Sequence, residues 1–402
     1  MKYLMVIGDG MADYPVKELG GETPLQSANH PNMDRLAQGG ICGTARTIPK
    51  GMGPNTDIAI LSILGYNPKL QEIGRGPLEA ASMGITLEEH DVALRFNLVT
   101  EEGGMLKDYA AGHISTEDAA VLVSALDDSL GETNVRFYPG ISYRHLLVLG
   151  NRYSKEVQCY PAHDVAGRNI ADILVKPKNT RAERTAALLN SFIFKSQTIL
   201  SNHALNKKRR QEGKPPANMI WPWGPGRRPK ISTLNQRFGL SSAVISAVDV
   251  VNGMGKYAGM DVITVPGATG FVDTNYEGKA DYALQALRDH DFVLVHVEAP
   301  DEASHIGDPK LKIKTIEDLD RRLLGRILDR IEGDFTITIL SDHLTPIPIR
   351  THTDDPVPFV FYNSRRRKKG RPHFNEVSAS ESSLKIGKGY RFFDLFLKYG
   401  KA

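Results

Sequence analysis

The chain has 402 residues, of which 41% are apolar and 24% charged, with a formal net charge of +3. That composition is globular and long enough for two or three domains with their own cores. The small net charge leaves no electrostatic footprint for a nucleic-acid or membrane partner, and two cysteines, Cys42 and Cys159, in neither a disulfide framework nor a C-x-x-C pair fit a reducing cytosol.

The chain opens on YLMVIGDG (3–10), a short apolar run of the buried-strand type ended by Gly-Asp-Gly. It lacks the length and cleavage site of a signal peptide, and no segment approaches the about 18 apolar residues of a membrane span. TDIAILSILG (56–65) has a helical apolar pattern, with Thr56 at its start and Gly65 at its end. From about 72 to 228 the chain changes character. Strands are predicted in DVALRFNLVT and ISYRHLLVLG, helices in TEDAAVLVSAL and RTAALLNSFIF, and the closing GKPPANMIWPWGPGRRPK reads as a linker or crossover. AVISAVDV (243–250) and GMDVITVPG (259–267) read as strand or strand–helix segments. FVLVHVEAPD (292–301) and FTITILSDH (335–343) are again buried-type strands. Between them, 310–331 is predicted as one long helix. Its apolar stripe of Ile313, Ile316, Leu323, Ile327 and Ile331 also carries Asp320, and an acid on a buried face needs a partner.

The three buried-type runs end in Asp9, Asp301 and Asp342. In open α/β sheets ligands bind beyond the carboxyl ends of the strands. The two ends of the chain are therefore predicted to build one sheet, from 1–71 and 229–402, with 72–228 as an inserted domain. Imidazoles gather at the same places. Asp301 and His305 form D-x-x-x-H, His343 follows Asp342, and His352 lies in THTDDPVPF. Neutral imidazole and ionised carboxylate are metal ligands. Taken alone, the last stretch is also compatible with a polar loop capping a core strand. Together, three acids and three histidines suffice for two metal ions, with an oxygen nucleophile completing a shell.

Asp9 followed by D-x-x-x-H, S-D-H and H-T-x-x-P-V-P-F, in this order, resembles the alkaline phosphatase superfamily. With TPLQSANHPNMDRLAQGG, GRGPLEAASMGI, KDYAAGHIS, FYPGISYRHLLV and VPGATGFVDTNYEGK, the chain resembles the cofactor-independent phosphoglycerate mutases over nearly its whole length, specifically their compact archaeal-type branch. The resemblance implies an α/β fold, an alkaline-phosphatase-like sheet with helices on both faces, and an inserted α+β domain. It implies a cytoplasmic enzyme that interconverts 3-phosphoglycerate and 2-phosphoglycerate, a small phosphorylated substrate, with no nucleic acid and no membrane as partner.

It also implies two divalent metal ions, Mn²⁺, Zn²⁺ or Co²⁺. One is held by Asp301, His305 and His352, the other by Asp9, Asp342, His343 and the nucleophile. The family usually has Gly-Ser-Asp at the nucleophile; this chain has Asn55-Thr56-Asp57, so Thr56 is the matching residue, with a simple helix cap as its alternative role. Substrate-gripping groups are expected from the inserted domain at His113, Arg95, Asn97, Arg144 and His163, and further at Arg227, Arg228 and Lys256. Phosphoryl transfer to homoserine is the main alternative activity. A nucleic-acid-binding scaffold is a distant one, because the basic runs NKKRRQEGK (206–214) and RRRKKGR (365–371) lack interleaved aromatics and read as solvated loops.

Overall fold

The residues Tyr3 to Ile7 are all buried and form the strand β1 (Lys2–Gly8). Its alternate side chains serve two different layers. Leu4 and Val6 enter a core with Met33, Leu36, Ala283 and Leu323, while Tyr3 meets Phe396 of the C-terminal helix edge-on, with ring centroids 5.6 Å apart. A strand covered on both faces reads as a continuous apolar run, which is why the alternation of a half-exposed strand is missing here.

The computed structural model describes residues 1–71, 73–366 and 368–401. The chain divides into two units, Met1–Gln71 with Ile231–Ala402, and Glu72–Lys230. In the first, β1 is joined by β2 (Ile41–Ala45), β3 (Ser242–Ile245), β4 (Asp261–Val262), β5 (Phe292–Val297), β6 (Phe335–Leu340), β7 (Val357–Asn363) and β8 (Lys385–Ile386). The sheet order is β4-β3-β5-β1-β6-β7-β2-β8. β1 pairs in parallel with both β5 and β6. Their carboxyl ends therefore reach one edge, and the segments that leave them start side by side. β7 runs antiparallel to both β6 and β2.

The helices that matter for that edge are α1 (Pro31–Gly39), α2 (Thr56–Ile63), α3 (Ala299–Ile306) and α4 (Pro309–Asp318). The single long helix expected over 310–331 is broken up. α4 passes into a π-helical turn, Leu319–Gly325, followed by a short helix at Arg326–Leu328. Asp320 lies in that π turn, fully buried, and accepts from the amides of Met33 at 2.7 Å and Asn32 at 3.2 Å. The N-cap residue of α1, His30, makes no side-chain cap hydrogen bond. The acid on the apolar stripe thus satisfies the orphan amides of another helix.

The second unit is built on a five-stranded antiparallel sheet. Val92–Glu102 pairs with Met105–Asp108, Arg144–Leu149 and Met219–Gly226, and Val135–Tyr138 pairs with Arg144–Leu149. Thr116–Leu130 and Glu183–Asn202 are its long helices, and their apolar residues share one core with the sheet. The segment read as a linker is therefore corrected: 219–226 is a strand. Among the described residues it pairs with Val92–Glu102 alone, an edge position in which prolines such as Pro222 and Pro225 are tolerated, and its buried Met219, Ile220 and Trp221 fill the core. Among the described residues no helix is long and apolar enough to cross a membrane.

Candidate functional site

Asp9 leaves β1 with its amide bonded to Val297 O at 2.9 Å. Asp342 and His343 leave β6. Asp342 Oδ1 accepts from the amides of Gly10 at 3.1 Å and His343 at 2.9 Å. Gly10 has φ +56°, and a Cβ there would stand 2.4 Å from Asp301 Oδ1, so the turn admits only glycine. Asp301 is not at a strand end, as the sequence suggested, but in the first turn of α3. His305 follows one turn later on the same helix face. His352 approaches from the loop between β6 and β7.

Hydrogen-bond accounting shows what these histidines present. His305 Nδ1 is 3.0 Å from Arg350 O, and His352 Nδ1 is 2.8 Å from Pro54 O. A carbonyl only accepts, so each Nδ1 carries the hydrogen and each neutral ring has a bare Nε2. The two bare nitrogens lie 3.1 Å apart. Beside them is Asp301, with Oδ2 3.1 Å from His305 Nε2 and Oδ1 3.5 Å from His352 Nε2. Lone pairs converging on a carboxylate repel one another unless a cation lies between them. Donors held about 2.0–2.2 Å from one ion stand roughly 3–4 Å apart, as these do.

A second cluster adjoins the first. His343 Nε2 is 3.3 Å from Asp9 Oδ1, 3.3 Å from Asp342 Oδ2 and 3.3 Å from Thr56 Oγ1. Both oxygens of Asp9 and Oδ2 of Asp342 are buried with no hydrogen-bond partner. Orphaned carboxylate oxygens in a buried position are costly without a counter-charge. The ligand atoms of Asp301, His305 and His352, and those of Asp9, Asp301 and His343, lie within 4.8 Å of one another in each group. Asp301 is common to both. The donor set is oxygen and imidazole without thiolate, and it fits a divalent ion of the Mn²⁺ or Zn²⁺ kind.

The electrostatics agree with the geometry. Burial, and then the neighbouring Asp342, push the Asp9 carboxyl well above its ordinary range. Burial and Asp301 push Glu298 up to about 8. Burial works against the Asp301 carboxylate, yet His305 and His352, when protonated at the Nε2 atoms that face it, hold it well below the usual range. The same Asp301 raises His305 to about 9. A cation bound among these groups would offset the charge that burial and mutual repulsion disfavour at Asp9 and Glu298.

Thr56 is the first residue of α2, and Asn55 occupies the cap position without a side-chain cap bond. The hydroxyl of Thr56 thus faces the His343 cluster at the amino end of a helix, where negative charge is favoured. The sequence reading missed His296 and Glu298. His296 Nε2 stands 3.1 Å from Asp9 Oδ2, outside hydrogen-bond geometry, and Nδ1 is 3.9 Å from Glu298 Oε2. The signal for them was an imidazole inside the otherwise apolar run of β5. Fully buried Lys279 donates to His296 O at 2.8 Å.

In the second unit, Arg95 and Asn97 share one strand, and Asn97 is in register with Arg144 on the next. Arg95 donates to Glu79 at 3.0 Å and lies 4.9 Å over the Trp223 ring, whose Nε1 donates to Asn97 at 3.0 Å. His163 meets Trp223 edge-on at 5.9 Å, and His113, at φ 51°, meets Tyr143 at 5.8 Å. The Nε groups of Arg95, Arg144 and Arg227 are buried with no acceptor. Guanidinium groups in that state suit a carboxylate or phosphate. Arg228 is exposed just past the edge strand, and Lys256 is exposed in the last turn of the Asp249–Tyr257 helix of the first unit. Both clusters are built without them.

A family model described as 2,3-bisphosphoglycerate-independent phosphoglycerate mutase matches residues 37–206. A protein of that name from Methanosarcina acetivorans is 49% identical over 402 residues, covering 99% of this chain and 100% of the relative. A probable one from Geobacter sulfurreducens is 47% identical over 404 residues, covering 99% and 100%. Among solved structures, a protein from Pyrococcus horikoshii has a TM-score of 0.85 at 32% identity, covering 99% of this chain and 97% of that one. The cofactor-independent phosphoglycerate mutase from Thermoplasma acidophilum has a TM-score of 0.69 at 30% identity, covering 99% of each.

Proposed function

This chain belongs to the 2,3-bisphosphoglycerate-independent phosphoglycerate mutase family, and on that premise we propose that it interconverts 3-phosphoglycerate and 2-phosphoglycerate through a phosphoryl group carried on Thr56. The observation that carries this reading is the Thr56 hydroxyl, 3.3 Å from His343 Nε2, the atom that also stands 3.3 Å from the orphaned oxygens Asp9 Oδ1 and Asp342 Oδ2. The relatives' names favour it over phosphorylation of homoserine.

Asp301, His305 and His352 would hold one divalent ion, and Asp9, Asp342, His343 and Thr56 the other. Bound there, Mn²⁺, Zn²⁺ or Co²⁺ would lower the pKa of the Thr56 hydroxyl and offset charge on the transferring oxygens. Thr56 gives up its hydroxyl hydrogen as Oγ1 attacks phosphorus, the phosphate ester bond to the substrate breaks, and a proton equivalent to the one released is taken up by the departing glycerate oxygen. Glycerate re-orients, its other hydroxyl gives up its hydrogen as the oxygen attacks the phosphorus, the bond to Thr56 breaks, and Thr56 Oγ1 is reprotonated. The first amides of α2 favour the phosphate's negative charge throughout. In the second unit we assign Arg95, Asn97, Arg144, His163, His113 and Arg227 to gripping substrate, with Arg228 of that unit and Lys256 of the first unit as outer candidates.

The test is turnover of 3-phosphoglycerate by the purified chain with Mn²⁺ and no bisphosphoglycerate. Chelation should abolish it and added Mn²⁺ restore it. No turnover, or full turnover in a demonstrably metal-free preparation, overturns the reading.

A further inference from the structure

Thr345, two residues past His343, is fully buried. Its hydroxyl oxygen lies 2.5 Å from Asp301 Oδ1 and 3.2 Å from His343 Nδ1. A hydroxyl has one hydrogen, and an ionised carboxylate can only accept. The hydrogen therefore goes to Asp301, and the oxygen accepts the Nδ1 hydrogen of His343. The neutral His343 ring is left with a bare Nε2, the atom that faces Asp9, Asp342 and Thr56. His305 and His352 take the same tautomer from backbone carbonyls, Arg350 O and Pro54 O. Of these three rings, His343 takes its tautomer from a side chain.

The hydroxyl is itself held in place. Thr345 O accepts from Lys312 Nζ at 3.1 Å, and Lys312 also donates to Asp13 Oδ2 at 2.7 Å. Both members of that ion pair are completely buried. The Thr345 amide donates to Ala12 O at 3.3 Å. A Cβ on Gly10 would stand 2.5 Å from Thr345 Oγ1, so the neighbouring turn is cut back to admit the hydroxyl.

We propose that Thr345 is a positioning residue: one hydroxyl orients Asp301, which both ligand clusters share, and sets the tautomer in which His343 can ligate. This rests on the metal-centre reading above. Mn²⁺ uptake by the full chain, without substrate, tests it. Thr345→Val keeps the shape and removes the hydroxyl; Thr345→Ser keeps the hydroxyl. Thr345→Val should weaken Mn²⁺ binding roughly 10- to 100-fold, the usual effect of removing a group that orients a ligand, while Thr345→Ser stays within roughly threefold of wild type. Thr345→Val also strands the buried Asp301 Oδ1 and His343 Nδ1, so some loss of metal-free thermal stability is expected from it, and Mn²⁺ uptake is compared at a temperature where both variants remain folded. ¹⁵N-histidine spectra of the wild-type chain supply a readout that needs no variant, and the neutral His343 ring should carry its hydrogen on Nδ1. Equal Mn²⁺ binding by wild type and Thr345→Val, a Ser variant as weak as Val, or an Nε2-protonated His343 overturns the proposal. Wild type that takes up no Mn²⁺ overturns the metal centre itself.

Discussion

His305 Nε2 and His352 Nε2 face each other at 3.1 Å, with Asp301 beside both, and each ring has given its Nδ1 hydrogen to a backbone carbonyl. Neither ring has a hydrogen to place between them, so the pair binds either a proton or a metal ion. Asp301 raises His305 to about 9, so below that pH the metal-free centre holds a proton that an entering ion displaces. Mn²⁺ binding near pH 7.5 should therefore release protons, and the apparent affinity should fall as pH is lowered from about 9. For the metal-free fold the sign is opposite. A His raised above its unfolded value of about 6.5 stabilises fully below that pH, and the contribution is lost as pH rises through about 9. Calorimetry in two buffers of different ionisation enthalpy measures the proton release. Buffer-independent heats would contradict the arrangement.

Thr56→Ala should abolish turnover and leave the fold intact, because it removes the oxygen proposed to receive the phosphoryl group. Thr56→Ser should stay active. If Thr56 were only a helix cap, Ala would cost about 1 kcal/mol of stability and spare the chemistry. Asn55, not Thr56, holds the cap position, which disfavours that role. Mass spectrometry of wild type quenched during turnover should find phosphate on Thr56. Phosphate on another residue, or near-normal turnover in the Ala variant, would remove Thr56 from the mechanism.

Asp320→Ala should destabilise the protein by about 3 kcal/mol, since it strands the buried amides at the start of α1 that Asp320 now satisfies. Asp320→Asn should cost less, because it retains one acceptor oxygen. Urea unfolding gives the difference, and an unchanged midpoint in the Ala variant would show that those amides find another partner.

Arg144→Met should raise KM for 3-phosphoglycerate roughly 10- to 100-fold, the worth of one charge-assisted hydrogen bond. Its Nε has no acceptor in the free protein, so nothing is left unpaired by its removal. Stability should change by less than about 1 kcal/mol, and Mn²⁺ uptake should be unaffected. Unchanged KM would remove Arg144 from substrate binding.

The apolar runs that became β1, β5 and β6, and the acids and imidazoles placed after them, were legible in the sequence because both are local properties. A strand buried on two faces needs consecutive apolar residues, and a chemistry-bearing polar group that follows it stands out against them. The helix beginning at Thr56 and the need of Asp320 for a partner followed from the same kind of pattern. Other features depend on residues distant in the chain. The strand at 219–226 exists because Val92–Glu102 offers it an open side, although its own prolines and glycines read as a linker. The tautomers of His305 and His352 are set by the carbonyls of Arg350 and Pro54, and backbone carbonyls carry no signature in the residue type. That Asp301 is shared by two clusters, and that His296 and Glu298 stand beside Asp9, follows from three parallel strands ending at one edge. Sequence determined which groups were available to this edge; the pairing of the strands decided which atoms met, because donor geometry is set by neighbours that no local pattern encodes.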